Sequence, residues 1–227
     1  MPRGSDYILN FQNVSHKFKQ GESVIKVLNS VNFQLKNNCI AALIGSSGSG
    51  KSTFLHLAGL LEKPNNGKIL IKNKIVNNLN NSDRTMMRRN SLGFVYQKIY
   101  LLPEFTALEN VIIPQVIKGV RKNIALDRAR NILSSMGLKN RLNHRPSSLS
   151  GGEQQRIAIA RAIINKPDLI LADEPTGNLD SSSSELISDL LLNSIKSSNT
   201  SAIIATHSLE LAEKCDLIYK IDNGKII

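Results

Sequence analysis

At 227 residues the chain is long enough to bury a core unaided, and its two cysteines, Cys39 and Cys215, belong to no CxxC pair; this excludes a disulfide framework and a thiolate metal site and suits a reducing cytosol. A net charge of +11 admits nucleic acid or an anionic membrane surface, but the basic residues are scattered and only four tyrosines and six phenylalanines offer stacking surface, so the charge reads as a solvated surface and no nucleic-acid partner is expected. No apolar run approaches the roughly 20 residues of a membrane span, and the start, MPRGSDYILNFQ, lacks the apolar core of a signal peptide; a protein soluble by itself is expected, and the opening PRGS is assigned no function.

Residues 7–44 read as strands: YILNFQNVSHKF, then VNFQL with its period-two alternation, then the apolar run CIAALI, which suits a buried strand. The loop GSSGSGKS and an apolar helix, STFLHLAGL, follow, and Pro64, Asn65, Asn66 and Gly67 make a turn into a strand, KILIKNKIV. LGFVYQ is a further short strand, and residues 104–140 read as helical, interrupted near Pro114 and stopped near Gly137. A second glycine motif, LSGGEQQR, opens another helix. The order then runs strand DLILAD, helix SSSSELISDLLLNSI, strand SAIIAT, helix SLELAEKC, and a hairpin turned at Asp222, Asn223 and Gly224. Strands alternating with helices predict an α/β fold with a mainly parallel sheet.

Gly45-Ser46-Ser47-Gly48-Ser49-Gly50-Lys51-Ser52 fits G-x-x-x-x-G-K-[ST] and lies between a buried strand and a helix, the context a phosphate loop needs. Its glycines let backbone amides face phosphates, Lys51 reaches the β and γ oxygens, and the Ser52 hydroxyl can ligate magnesium. The strand Leu169-Ile170-Leu171-Ala172 delivers Asp173 and Glu174 at its carboxyl end, where open α/β sheets bind ligands. Adjacent strand residues point to opposite sides, so Asp173 is assigned to magnesium and Glu174, as general base, to a water attacking the γ-phosphate. His207 ends SAIIAT at the same edge and is placed to contact the γ-phosphate. Gln97 ends LGFVYQ and is placed to contact magnesium or the attacking water. Asn165-Lys166-Pro167-Asp168 spells a guanine-reading pattern, but it precedes its strand and so lies at the wrong end of the sheet; it reads as a turn.

With a complete phosphate loop already present, the glycine-rich helix start at Ser150, Gly151 and Gly152 has no obvious phosphate of its own. Together these motifs resemble the ATP-binding subunits of ABC transporters over nearly the whole chain. The resemblance implies a P-loop NTPase core over a single domain, 6–227, with an N-terminal antiparallel β subdomain and a helical subdomain inserted at approximately 98–160. It implies ATP and Mg2+ as ligands, held by residues 45–53 through Thr53, with Phe18 stacking on adenine. It also resolves the second motif. In the family LSGGE binds the ATP of a second subunit, so Ser150, Gly151 and Gly152 would serve a partner copy in a head-to-tail dimer, with Asp180 in a loop that crosses the interface.

Integral membrane subunits would dock near residues 98–117, on a groove involving Leu101, Leu102, Phe105, Leu108 and Val111, at the cytoplasmic face of a bacterial inner membrane. GSSGSGKSTFLHLAGL, LLPEFTALENV, NHRPSSLSGGE and LADEPTGNLD are similar to the lipoprotein-releasing branch of the family. FtsE-like division ATPases and MacB-like exporter ATPases share related strings and stand as alternatives. KIYLL, after Gln97, departs from the aromatic and histidine expected in the lipoprotein-releasing branch.

Overall fold

The computed structural model describes residues 6–21 and 23–227; the opening PRGS lies outside them. Two long strands, β1 (Tyr7–Gln20) and β2 (Ser23–Lys36), pair antiparallel and set Phe11 opposite Phe33 and Phe18 opposite Ile25. Strand β1 also pairs with β4 (Asn66–Ile71), which turns at Lys72 and Asn73 into the two-residue β5 (Lys74–Ile75). The segment KILIKNKIV is therefore a hairpin and not the single strand expected. Both turn residues have positive φ, 49° and 62°, the backbone that a tight hairpin requires. The resulting sheet has the order β2-β1-β4-β5.

The second sheet contains β3 (Ile40–Ile44), β6 (Leu92–Tyr96), β7 (Leu169–Asp173), β8 (Ser201–Thr206), β9 (Leu217–Asp222) and β10 (Lys225–Ile226), in the order β10-β9-β3-β8-β7-β6. All its neighbours run parallel except the hairpin partner β10. Its central strands are buried along almost their whole length and carry apolar runs because both faces are covered. Along β7, Leu169 and Leu171 enter one core with α1 (Lys51–Ala58) and the first sheet, while Ile170 and Ala172 enter another. The first of these cores is tied by stacked Phe11 and Phe54, 4.5 Å apart, with Phe33 edge-on to Phe54 at 5.1 Å.

The other core is helical: α3 (Ala107–Ile117), α4 (Lys122–Ser135), α5 (Gly151–Ile163), α6 (Ser181–Ser197) and α7 (Leu209–Glu213) contribute Val111, Leu133, Ile157, Leu191 and Leu211. The helical stretch expected over 104–140 starts at Ala107 and divides at 118–121. Pro114 lies inside α3 and does not interrupt it. The break is made by Gly119 at φ 83°, a left-handed residue that ends a helix, and Gly137 at φ 74° ends α4 in the same way. Helix α7 is shorter than SLELAEKC suggests. Helix α2 (Asn81–Ser91) is not expected from the sequence: it buries no residue and so carries no apolar stripe. Its Arg84 and Arg88 both donate to the Leu60 carbonyl, at 2.6 and 2.8 Å, fixing it on the end of α1.

The Asn165 to Asp168 segment forms a turn entering the amino end of β7, where Asp168 pairs with Lys72 and its N–H donates to the Ser91 carbonyl. Among the described residues no helix is long and apolar enough to cross a membrane.

Candidate nucleotide site

The carboxyl ends of β3, β6, β7 and β8 open on a cavity of about 600 Å³, lined by Val27, Gly45, Ser46, Ser47, Gly48, Gly50, Lys51, Ser52, Thr53, Gln97, Asp173, Glu174 and His207. The loop from β3 to α1 wraps so tightly that a side chain at Gly45 has no room: a Cβ there would lie 2.5 Å from the Ile221 carbonyl oxygen and 2.7 Å from Ser49 Oγ. Gly50, at φ 112°, is the N-cap of α1 and offers no side-chain cap, and no acidic residue stands in the first turn. The helix start therefore presents uncapped amides and a positive dipole end toward the cavity, the arrangement that binds a phosphate. The Ser49 hydroxyl is buried and finds no partner among the described residues. Lys51 is 9% exposed, and its Nζ donates to the carbonyls of Gly45 at 2.8 Å and Ser46 at 3.1 Å. A buried ammonium resting on its own loop can swing to a phosphate oxygen without leaving the cavity.

Strand alternation would send Asp173 and Glu174 to opposite sides, yet both line this cavity. Strand β7 ends at Asp173, and Glu174 takes a left-handed φ of 46° while its N–H donates to the Ala205 carbonyl at 2.8 Å. That turn brings the second carboxylate round to the first. Glu174 Oε2 lies 2.8 Å from Nδ1 of His207 and accepts the His207 backbone N–H at 3.3 Å. The Glu174 side chain is 15% exposed and the His207 ring 70%, so the pair places a sheltered carboxylate beneath an open imidazole.

Gln97, one residue beyond β6, donates from Nε2 to Asn178 Oδ1 at 3.2 Å, while Asn178 Nδ2 donates to the Gln97 carbonyl at 3.0 Å. Beside it, burial and then the Tyr100 phenol push the Tyr96 phenol above its ordinary value.

Four groups of expected residues stand elsewhere. Phe18 is 38% exposed, packs edge-on against His16 at 4.7 Å, and is not among the residues lining the cavity; Val27 of β2 lines it instead. Nothing in the patterning of VIKVL marks Val27 for that place. Ser150, Gly151 and Gly152 are also absent from the lining. Ser150 caps α5 in a capping box with Glu153, and Gly151 approaches Leu179, with 3.4 Å between its Cβ position and Leu179 Cδ2. The Ser150 amide and then Arg141, 2.8 Å away, hold the Glu153 carboxyl below its ordinary range. Asp180 caps α6, and hydrogen bonds from Ser182 and then Ser183 hold its carboxyl well below the usual range. In the docking segment, Leu108 and Val111 are buried and Leu101 packs against the helical core, while Leu102 and Phe105 are each 41% exposed.

The family described as ABC transporter matches residues 28–177. The chain is 48% identical to the lipoprotein-releasing system ATP-binding protein LolD of Rickettsia bellii, over 98% of each chain. It is 46% identical to the protein of the same name from Paramagnetospirillum magneticum, over 96% of this chain and 97% of that one. Among solved structures it is similar to the ATP-binding cassette MJ0796, seen as a dimer in a post-hydrolysis state bound to ADP and Pi, with a TM-score of 0.89 at 38% identity over 96% of each chain.

Proposed function

The chain belongs to the ABC transporter family as a subunit that hydrolyses ATP to drive transport, and from that premise we propose that the transport it powers is release of lipoproteins from the bacterial inner membrane toward the outer membrane. The name and near-complete coverage of the LolD relatives support that cargo, and no observation favours the division or exporter alternative.

The mechanism rests on one observation: the phosphate loop, the two acids, Gln97 and His207 converge on one cavity, while the second glycine motif stands outside it. In this reading ATP lies along residues 45–53, Lys51 leaves its two loop carbonyls for the β and γ oxygens, and Phe18 closes over adenine. Magnesium supplies charge neutralisation on the phosphates; the Ser52 hydroxyl and the Asp173 carboxylate, with Gln97 beside them, are the hard oxygen donors such an ion takes. Glu174 takes the proton of the attacking water, and His207 fixes the direction of that carboxylate and touches the γ-phosphate. Ser150, Gly151 and Gly152 of a second copy close over the same nucleotide, and Asp180 lies in the interface.

The helical subdomain, approximately 98–160, carries this closure to integral membrane subunits of the LolC and LolE kind. They dock near 98–117, through exposed Leu102 and Phe105, at the cytoplasmic face of the membrane.

Replacing Glu174 tests the chemistry. Glu174→Gln is expected to bind ATP normally, to lose at least about a hundredfold in turnover, the contribution of a positioned general base, and to accumulate as an ATP-bound dimer. Turnover near that of the unaltered protein would remove Glu174 from this role.

A further inference from the structure

The turn that carries Gln97 is held from an unexpected direction. Arg161, near the far end of α5, donates from Nη2 to the Ile99 carbonyl at 3.0 Å and from Nη1 to the Tyr100 carbonyl at 2.8 Å. Two separate nitrogens of one planar guanidinium thus grip two consecutive carbonyls, a rigid fork that the single flexible ammonium of a lysine lacks. Within the turn the Tyr96 and Tyr100 rings meet edge to face at 5.5 Å, and Lys98 Nζ stands 5.7 Å from the Tyr100 ring centroid. Tyr100 has φ 49°, a left-handed conformation that a tyrosine rarely adopts, at the residue whose carbonyl Arg161 holds.

The other end of α5 is Ser150. The helix runs unbroken from Gly151 to Ile163, so Arg161 sits about 15 Å from the glycine motif along one rigid axis. At the opposite end of the linkage, Gln97 rests on Asn178 in the loop that joins Glu174 to α6. One continuous path therefore runs from Ser150 through α5, Arg161 and the carbonyls of Ile99 and Tyr100, and along the chain to Gln97 at the cavity wall.

We infer that Arg161 is a positioning residue: its fork ties α5 to the Gln97 turn, so that movement of α5 onto the partner copy's nucleotide shifts Gln97 between its Asn178 contact and the chain's own cavity. The inference rests on the roles proposed above for Ser150 and Gln97. It adds that each copy senses the other copy's nucleotide through Arg161, and that the two sites of the dimer are linked without a contact between them.

A double-mutant cycle separates this from simple support of the fold. Arg161→Lys keeps the charge and the aliphatic stem but gives up the two-pronged grip. It is expected to lower turnover about tenfold with the ATP KM changed by less than about twofold. In a Gln97→Ala background the same substitution should lower turnover by less than about twofold further, because the residue through which it acts is already gone. An equal loss in both backgrounds would overturn the inference while leaving the reading of Gln97 intact. Unchanged turnover in Gln97→Ala alone would remove that reading, and the inference with it.

Hydrogen exchange supplies a measurement that needs no change at Arg161. In Glu174→Gln protein, addition of ATP should alter protection of the amides of residues 98–102 in step with the second half of α5. No change at 98–102 while α5 responds would overturn the linkage, including in the case where Arg161→Lys fails to fold.

Discussion

At the scale of single residues the site depends on backbone conformations that side chains normally avoid. Glu174 holds φ 46°, a local cost on the order of 1–3 kcal/mol for a non-glycine residue, and in return both carboxylates face the same cavity. The hydrogen bond from its N–H to the Ala205 carbonyl helps to hold that turn in place. Two glycines of the phosphate loop make a sharper comparison. A methyl group at Gly45 would strike the Ile221 backbone oxygen at 2.5 Å, and backbone cannot rotate away; at Gly48, φ 77°, the space is open and only conformational strain opposes a side chain. Gly45→Ala is therefore expected to weaken ATP binding by at least about tenfold and to lower the melting temperature. Gly48→Ala should show only the effect of about 1–2 kcal/mol of left-handed strain. Equilibrium nucleotide titration and thermal unfolding of the two proteins side by side would check the ranking.

At the scale of elements, capping governs where the helices begin. Thr106 and Glu109 form a capping box on α3, and Ser150 and Glu153 form another on α5. Loss of the Thr106 hydroxyl in Thr106→Ala should cost about 1 kcal/mol, and so about 2–4 °C of melting temperature, with ATP affinity unchanged. The Glu109 carboxyl is held below its ordinary value of 4.5, first by the Thr106 backbone amide and then by the Thr106 hydroxyl. A carboxyl depressed in the folded state stabilises the fold above its ordinary value, and that stabilisation is lost as pH falls through the lower folded value. The difference in melting temperature between the unaltered protein and Glu109→Gln should therefore be present at neutral pH and shrink as the pH is taken below the ordinary carboxyl value of 4.5.

The same physics explains what the sequence makes legible. Strands β3, β7 and β8 are covered on both faces, which compels continuous apolar runs, and their carboxyl ends mark the site directly. Helix α2 stays hidden because it buries nothing; only Asn80, accepting from the Asp83 amide, signals its start. The β4–β5 hairpin stays hidden because its turn is built from Lys72 and Asn73 with no glycine. In the site, the phosphate loop and the acids could be read locally. The Gln97–Asn178 pair spans 81 positions, and the Arg161 fork depends on how α5 lies across the turn after β6, so neither has a local pattern to betray it.

At the scale of the molecule, two sheets and a set of helices enclose a cavity with a phosphate loop, two acids and an imidazole, while a second glycine-rich helix start stands outside its lining. We propose that these are halves of two different nucleotide sites, completed only when two copies meet head to tail. Mixing Lys51→Ala chains with Ser150→Arg chains tests that claim most directly. In a mixed dimer both lesions fall on one nucleotide, and the other site keeps an intact Lys51 facing an intact Ser150. The mixture is expected to hydrolyse ATP faster than either variant alone. A mixture no more active than the average of its two components, with no ATP-dependent dimer formed by Glu174→Gln protein under the same conditions, would contradict it.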